Sequence, residues 1–397
     1  MYNQQLAQIL QCFLFVILLC VQGCGSGDDD KTSSIPPTQN LQPYLYQQPL
    51  THNDGWQTAH LSEFSIDVAT YESLVKKIAD GVQGYQHIDS VMVVKSGKII
   101  FDENFRTTLD IADGWANNRD INLHILNSVT KSFASALIGI AIDQGYIDSV
   151  DVKVHDFFQH KLPVNNWSVE KENITLKNWL TMRHGYLWDE WNVSYLDSSN
   201  LNSQMNNASD PINFLLSRPM ATTPGQTFAY STGVSFGLGR LLEHATGQSV
   251  TSFMEQNLFA PLGIEKYTYW SLDGQLHTGS ALYLAPRDMA KFGQLFLNKG
   301  QWQGQQVISN AWVEESTTRY HDAGSWGYAY QWWSTSFSVN GQEINSFYAD
   351  GFGGQYIFVV PELDAVIVFT GRAYQPGDME EYRVRQALEN EILPSLL

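Results

Sequence analysis

The stretch Asn127-Ser128-Val129-Thr130-Lys131-Ser132-Phe133 precedes an apolar run with helical spacing, Ser132 to Gln144, that stops at Gly145. A serine followed three residues later by a lysine places both side chains on one helix face. A lysine withdrawn from water loses proton affinity and can accept the serine proton, which activates the hydroxyl as a nucleophile. The pair alone is a weak signal, because Ser73…Lys76 and Ser168…Lys171 repeat it. Context separates them. Ser73 lies in a solvated amphipathic pattern, Glu72 to Lys77, and Ser168 in a Trp- and charge-bearing loop, Asn166 to Asn173, so both read as surface. Only Ser128 stands at the start of a buried helix, where backbone N–H groups and the helix dipole favour negative charge.

Outward from this helix, β-rich runs lie at both ends of the chain. Val91–Val94 and Lys98–Phe101 are joined through Ser96-Gly97, a hairpin signal. Tyr356–Val360 and Ala365–Thr370 flank Pro361-Glu362-Leu363-Asp364, a second hairpin, and a helical pattern follows from Met379 to Leu393. Between them the candidates are helical: Ile174–Met182, Pro211–Leu216, Phe236–Ala245 and Val250–Phe259. The expectation is an α+β domain over 57–397. Its antiparallel sheet comes from both chain ends, and a mainly helical region, about 140–268, is inserted between the halves.

Further motifs occur in order along the chain: Pro224-Gly225-Gln226-Thr227-Phe228-Ala229-Tyr230-Ser231-Thr232, then Gly247, Pro261-Leu262-Gly263, Ala285-Pro286-Arg287-Asp288-Met289-Ala290-Lys291-Phe292-Gly293, and Ala349-Asp350-Gly351-Phe352-Gly353-Gly354-Gln355. With the Ser128 motif, this set resembles the serine β-lactamase, penicillin-binding and class C-like esterase superfamily, from about Ile88 to the C-terminus. The resemblance implies a β-lactamase/transpeptidase-like fold. It also implies Ser128 as nucleophile, Lys131 and Tyr230 sharing proton transfer, and an oxyanion hole from the backbone N–H groups of Ser128 and Phe352. Thr232, Ala349, Gly351 and His277 are expected to border the substrate, and His184 to lie near the cleft. No cofactor is implied.

The chain departs from the β-lactamase pattern twice. Ala349-Asp350-Gly351 stands where Lys-Thr-Gly is usual, and Thr232 where Tyr-x-Asn has its amide. Loss of the cation that holds a β-lactam carboxylate points to the 6-aminohexanoate-dimer hydrolase and esterase branch, which cleaves linear amides and carboxylic esters. The alternatives are a true β-lactamase or DD-peptidase, or a non-catalytic envelope binding protein on the same fold. Retention of Ser128, Lys131 and Tyr230 together argues against the last.

Composition narrows the partners. With 23 Lys and Arg against 41 Asp and Glu, the formal charge of −18 repels phosphate backbones, so nucleic acid is not expected. The three cysteines, Cys12, Cys20 and Cys24, all lie near the N-terminus, which excludes a catalytic thiol or a disulfide in the body. His155 and His160, five residues apart, do not share a helix face, and no H-E-x-x-H pattern occurs, so no metal is expected. Phe13–Val21 is an apolar run ending in Val21-Gln22-Gly23-Cys24. It resembles a bacterial lipoprotein signal over 1–24, with a lipid on Cys24 and a polar tether and approach over 25–56. That implies a cell-envelope location, lipid-anchored and facing the periplasm or exterior.

Overall fold

The computed structural model describes residues 43–195, 197–374 and 381–397, and the side chains of 381–383 are not described. The signal segment, Cys24 and most of the tether lie outside the described residues. Among the described residues no helix is long and apolar enough to cross a membrane.

Nine of the described strands form the main sheet, and the shorter ones form three small sheets of two or three strands. Its members are β1 (Gln57–Thr58), β2 (Ile88–Lys95), β3 (Lys98–Asn104), β4 (His321–Asp322), β5 (Trp326–Tyr328), β6 (Trp333–Val339), β7 (Gln342–Gly351), β8 (Gln355–Val360) and β9 (Ala365–Gly371). They lie in the order β1-β3-β2-β9-β8-β7-β6-β5-β4. All pairings are antiparallel except β1 with β3. Both expected hairpins are present, and β2 and β9, from opposite chain ends, pair at the centre.

The central strands read as continuous apolar runs because both sheet faces are covered. Met92, Val94, Ile357, Val359, Val366 and Val368 pack into one core. Their alternating neighbours Val91, Val93, Phe358, Val360, Ile367 and Phe369 pack into another. Each such side chain contributes roughly 1.5–3 kcal/mol on burial. The second face is covered by α1 (Val68–Ala79) and the C-terminal helices, through Tyr71, Leu74, Ala387 and Ile392. The first faces the helical region, whose elements include α2 (Thr130–Asp143), α3 (Thr232–Thr246) and α4 (Pro286–Leu297). Helix α4 lies so close to the sheet that a Cβ on Gly293 would meet Val366 at 2.6 Å and Ile357 at 2.8 Å.

Three expectations change. Residues 44–56, expected as the end of the approach, are part of the body: Tyr46 is buried and donates its hydroxyl to Ile100 O at 2.8 Å, and Trp56 Nε1 donates to Arg287 O at 3.2 Å. Helix α3 begins at Thr232 rather than Phe236, because Ser231 caps it by accepting from Val234 N at 3.2 Å. Gly233 and Gly237 hide that start, yet a side chain there would strike Trp188 or Trp179. The helices expected at 250–259 and 379–393 each widen into a π turn, Glu255–Phe259 and Leu388–Ile392. A proline, Pro261 or Pro394, follows two residues later with no N–H to give to the preceding turn.

Candidate active site

Ser128 sits in a tight turn, Asn127–Val129, that runs directly into α2. The turn is pinned to the end of β7. Asn127, in a left-handed conformation (φ 45°), donates its side-chain amide to Phe352 O at 2.6 Å. Gly351 lies against the same turn, and a Cβ there would stand 2.2 Å from Leu126 O. Any side chain at 351 would push the strand end away from Ser128.

Lys131 is buried on the first turn of α2. Its Nζ donates to Ser128 Oγ at 2.9 Å, Thr232 Oγ1 at 3.1 Å and Gly279 O at 2.7 Å. Burial lowers its pKa from 10.5 to about 8, against the opposing charges of Glu190 and Asp350. That fall corresponds to roughly 3 kcal/mol of destabilised ammonium. A lysine that already touches the serine oxygen and yields its proton near neutral pH is suited to take the hydroxyl proton. Tyr230 is also nearly buried, and its ring centroid lies 4.9 Å from Lys131 Nζ.

Glu190 was not singled out from the sequence, although the structure seals it within the site. Oε2 accepts from Trp188 Nε1 at 2.7 Å and Thr232 N at 2.8 Å. Oε1 accepts from Thr232 Oγ1 at 2.7 Å and Tyr195 Oη at 2.9 Å. The carboxylate therefore caps the N-terminus of α3 and fixes the hydroxyl that receives Lys131. The available signal was a carboxylate set between Trp188 and Trp191, since such a loop is not simply solvated.

The other expected residues divide. Phe352 is 41 % exposed at the end of β7, with its ring 6.1 Å from Tyr195 and 5.7 Å from Tyr374. Ala349 is buried in the core beneath the site, paired with Ile357. The Thr232 hydroxyl is committed to Lys131 and Glu190, which makes it part of the lysine's support rather than of a substrate surface. His277 is buried behind Lys131, not in an open cleft. Its Nδ1 accepts from Gly279 N at 3.0 Å, and Nε2 lies 3.3 Å from Asn206 Oδ1. Burial and then the charge of Lys131 push its pKa down to about 3, so it stays neutral and shapes the turn that offers Gly279 O. His184, pushed down to about 4 by burial, accepts from Tyr186 N at 3.0 Å and binds Ala229 O at 2.8 Å, bracing the segment before Tyr230.

The spare pairs differ from the site and from each other. Ser73 is exposed on α1, and Lys76 pairs with Asp80. Lys171 is buried, contrary to the solvated loop expected there, and donates to Leu216 O at 2.6 Å. Its pKa falls to about 8 through burial, yet its bond is to a carbonyl and not to Ser168. The His160 ring lies tilted against His244, centroids 4.4 Å apart, and Lys161 and Arg240 beside them are paired with Asp210 and Glu243. The cavity there, about 310 Å³, shares no lining residue with the Ser128 site. Among the described residues no cluster of three or more His, Cys, Asp or Glu side chains is arranged to hold a metal.

Comparison with known proteins gives the family and the fold. The beta-lactamase family profile matches residues 74–390. The 6-aminohexanoate-dimer hydrolase of Paenarthrobacter ureafaciens is 24 % identical over 273 residues, which cover 62 % of this chain and 65 % of that protein. The chain thus spans about 65 % of the length of this curated relative. A Bacillus anthracis structure provisionally assigned as a 6-aminohexanoate-dimer hydrolase superposes with a TM-score of 0.65 at 19 % identity, over 81 % of each chain. EstCE1, a hydrolase with promiscuous acyltransferase activity, superposes at 0.63 with 13 % identity, over 83 % of this chain and 99 % of that one.

Proposed function

The chain belongs to the beta-lactamase family, and from that premise we propose that it cleaves a linear amide or carboxylic ester through an acyl-enzyme on Ser128. The observation that carries this reading is the 2.9 Å contact between Ser128 Oγ and the buried Lys131. In the proposed cycle Ser128 Oγ attacks the carbonyl carbon while its proton passes to neutral Lys131. Tyr230, beside that lysine, relays the proton to the departing oxygen or nitrogen. The backbone N–H groups of Ser128 and Phe352 receive the developing oxyanion, each worth about 3 kcal/mol in the transition state. Water then attacks the acyl-enzyme by the reverse proton path and frees Ser128.

The charge around Lys131 supports linear substrates over penicillins. The charges that act on it belong to two carboxylates, Glu190 and Asp350, and Ala349 supplies no cation for a β-lactam carboxylate. Comparing turnover of p-nitrophenyl butyrate with that of nitrocefin and benzylpenicillin tests this. The ester should have the higher kcat/KM. A greater kcat/KM for benzylpenicillin than for every ester tried would establish the β-lactamase reading instead. The lipoprotein-like N-terminus supports the further proposal that the hydrolase acts at the bacterial envelope, tethered through Cys24.

A further inference from the structure

The proton relay ends at Tyr230, so the surface beside Tyr230 is where a leaving group must lie. That surface is aromatic. Trp191 lies 5.1 Å from the Tyr230 ring at an interplanar angle of 24°, and Trp333 lies 5.6 Å from it at 28°. Trp191 and Trp333 are themselves 6.3 Å apart and 24° from parallel, with Phe228 6.1 Å from Trp191. Tyr230 is only 8 % exposed, whereas Trp191 is 54 % exposed. The outermost ring therefore leaves about half its surface open while its neighbours hold it in a near-parallel pose. A folding core gains nothing from that exposure.

The loop that carries Trp191 is fixed by its own hydrogen bonds. Trp191 N donates to Asp189 Oδ1 at 3.1 Å, and Asn192 Nδ2 to Asp189 Oδ2 at 2.8 Å. Asn200 Nδ2 donates to Glu190 O at 3.0 Å and Val193 O at 2.7 Å. A flat ring arriving on Trp191 meets a platform that is already ordered, which reduces the entropy lost on binding.

We propose that Trp191, with Tyr230 and Trp333 behind it, forms the leaving-group subsite of the Ser128 hydrolase, and that the substrate is an ester or amide of a flat aromatic alcohol or amine. This rests on the hydrolase reading above. For an aryl ester, the bond from Ser128 Oγ to the acyl carbon forms as the acyl carbon–aryloxy bond breaks. The proton lost by Ser128 passes through Lys131 and Tyr230 to the aryloxy oxygen, releasing the neutral arenol. Water then takes the acyl group from Ser128.

Phenyl acetate and 2-naphthyl acetate test the subsite cleanly. Their leaving groups have nearly equal acidity, so a rate difference reads ring contact rather than chemical reactivity. The full chain should prefer the naphthyl ester in kcat/KM by about fivefold or more, in line with one well-made aromatic contact. Trp191→Ala should bring that ratio close to one, and Trp191→Phe should restore most of it. Circular dichroism checks that the exposed substitution leaves the fold intact. A wild-type ratio near one, or a ratio unchanged in Trp191→Ala, would overturn the subsite. So would a preference seen only when the naphthyl ring is moved to the acyl side, as in methyl naphthoate against methyl benzoate. If neither acetate is turned over, or Ser128→Ala turns them over equally well, the hydrolase reading itself fails and the subsite fails with it.

Discussion

Thr232 links Lys131 to Glu190. Its hydroxyl accepts from Lys131 Nζ at 3.1 Å and donates to Glu190 Oε1 at 2.7 Å. Through this one side chain a buried carboxylate acts on the lysine that touches Ser128. Its charge raises the proton affinity that burial lowers, and the balance sets Lys131 near pH 8.

The pH profile follows from that balance. Only neutral Lys131 can accept the Ser128 proton, so kcat/KM for an ester should climb with pH as a single titration with its midpoint near 8 and level off above it. Burial pushes His184 and His277 down to about 4 and about 3, so both stay neutral above pH 6 and contribute nothing in this range. A profile flat from pH 6 to 9 would remove Lys131 from the role of base.

Glu190→Gln should move the same limb in a known direction. The carboxylate raises the proton affinity of Lys131, so its removal should let the lysine deprotonate at lower pH and shift the rising limb to the acid side. The amide fits, because the Thr232 and Tyr195 hydroxyls can turn to accept from its NH₂ while its oxygen keeps Trp188 Nε1 and Thr232 N. Stability should fall by about 1–3 kcal/mol, measured by urea unfolding. A limb that stays put or moves toward alkali would show that Glu190 supports only the fold.

Lys131→Ala and Tyr230→Phe should each lower kcat by about two to four orders of magnitude. The double variant should lose little more, because both act on one proton path. Losses that multiply would mean the two residues serve separate steps.

These expectations also show which parts of the structure were legible in the sequence. The central hairpins could be read because strands buried on both faces leave unbroken apolar runs such as Val91–Val94 and Tyr356–Val360. The approach of Lys131 to Ser128 could be read because a spacing of three is local geometry. Glu190 escaped because its partners Thr232 and Trp188 meet it only through the fold, and no local spacing marks that meeting. His277 was placed against the substrate for a related reason: sequence order brings it near the cleft, and only three dimensions show it behind Lys131. Lys171 looked solvated among polar neighbours because its burial depends on Leu216 and Tyr186, more than ten residues away. The π turns before Pro261 and Pro394 interrupt helices whose apolar spacing is continuous.

Location has its own test. If Cys24 carries a lipid, Cys24→Ser should release the protein from the membrane fraction of the producing bacterium, followed by immunoblot. Full retention of the variant would favour an uncleaved apolar anchor over residues 13–21.

Covalent labelling of Ser128 bears most directly on the central claim. A fluorophosphonate probe should label the full chain at one site, mapped by mass spectrometry to Ser128. Ser128→Ala should abolish both labelling and ester hydrolysis with circular dichroism unchanged. Ser73→Ala and Ser168→Ala should label and turn over as the parent chain does. Labelling of Ser128→Ala at the parent rate, or loss of activity in Ser73→Ala or Ser168→Ala with the fold intact, would contradict the assignment of the nucleophile and the mechanism built on it.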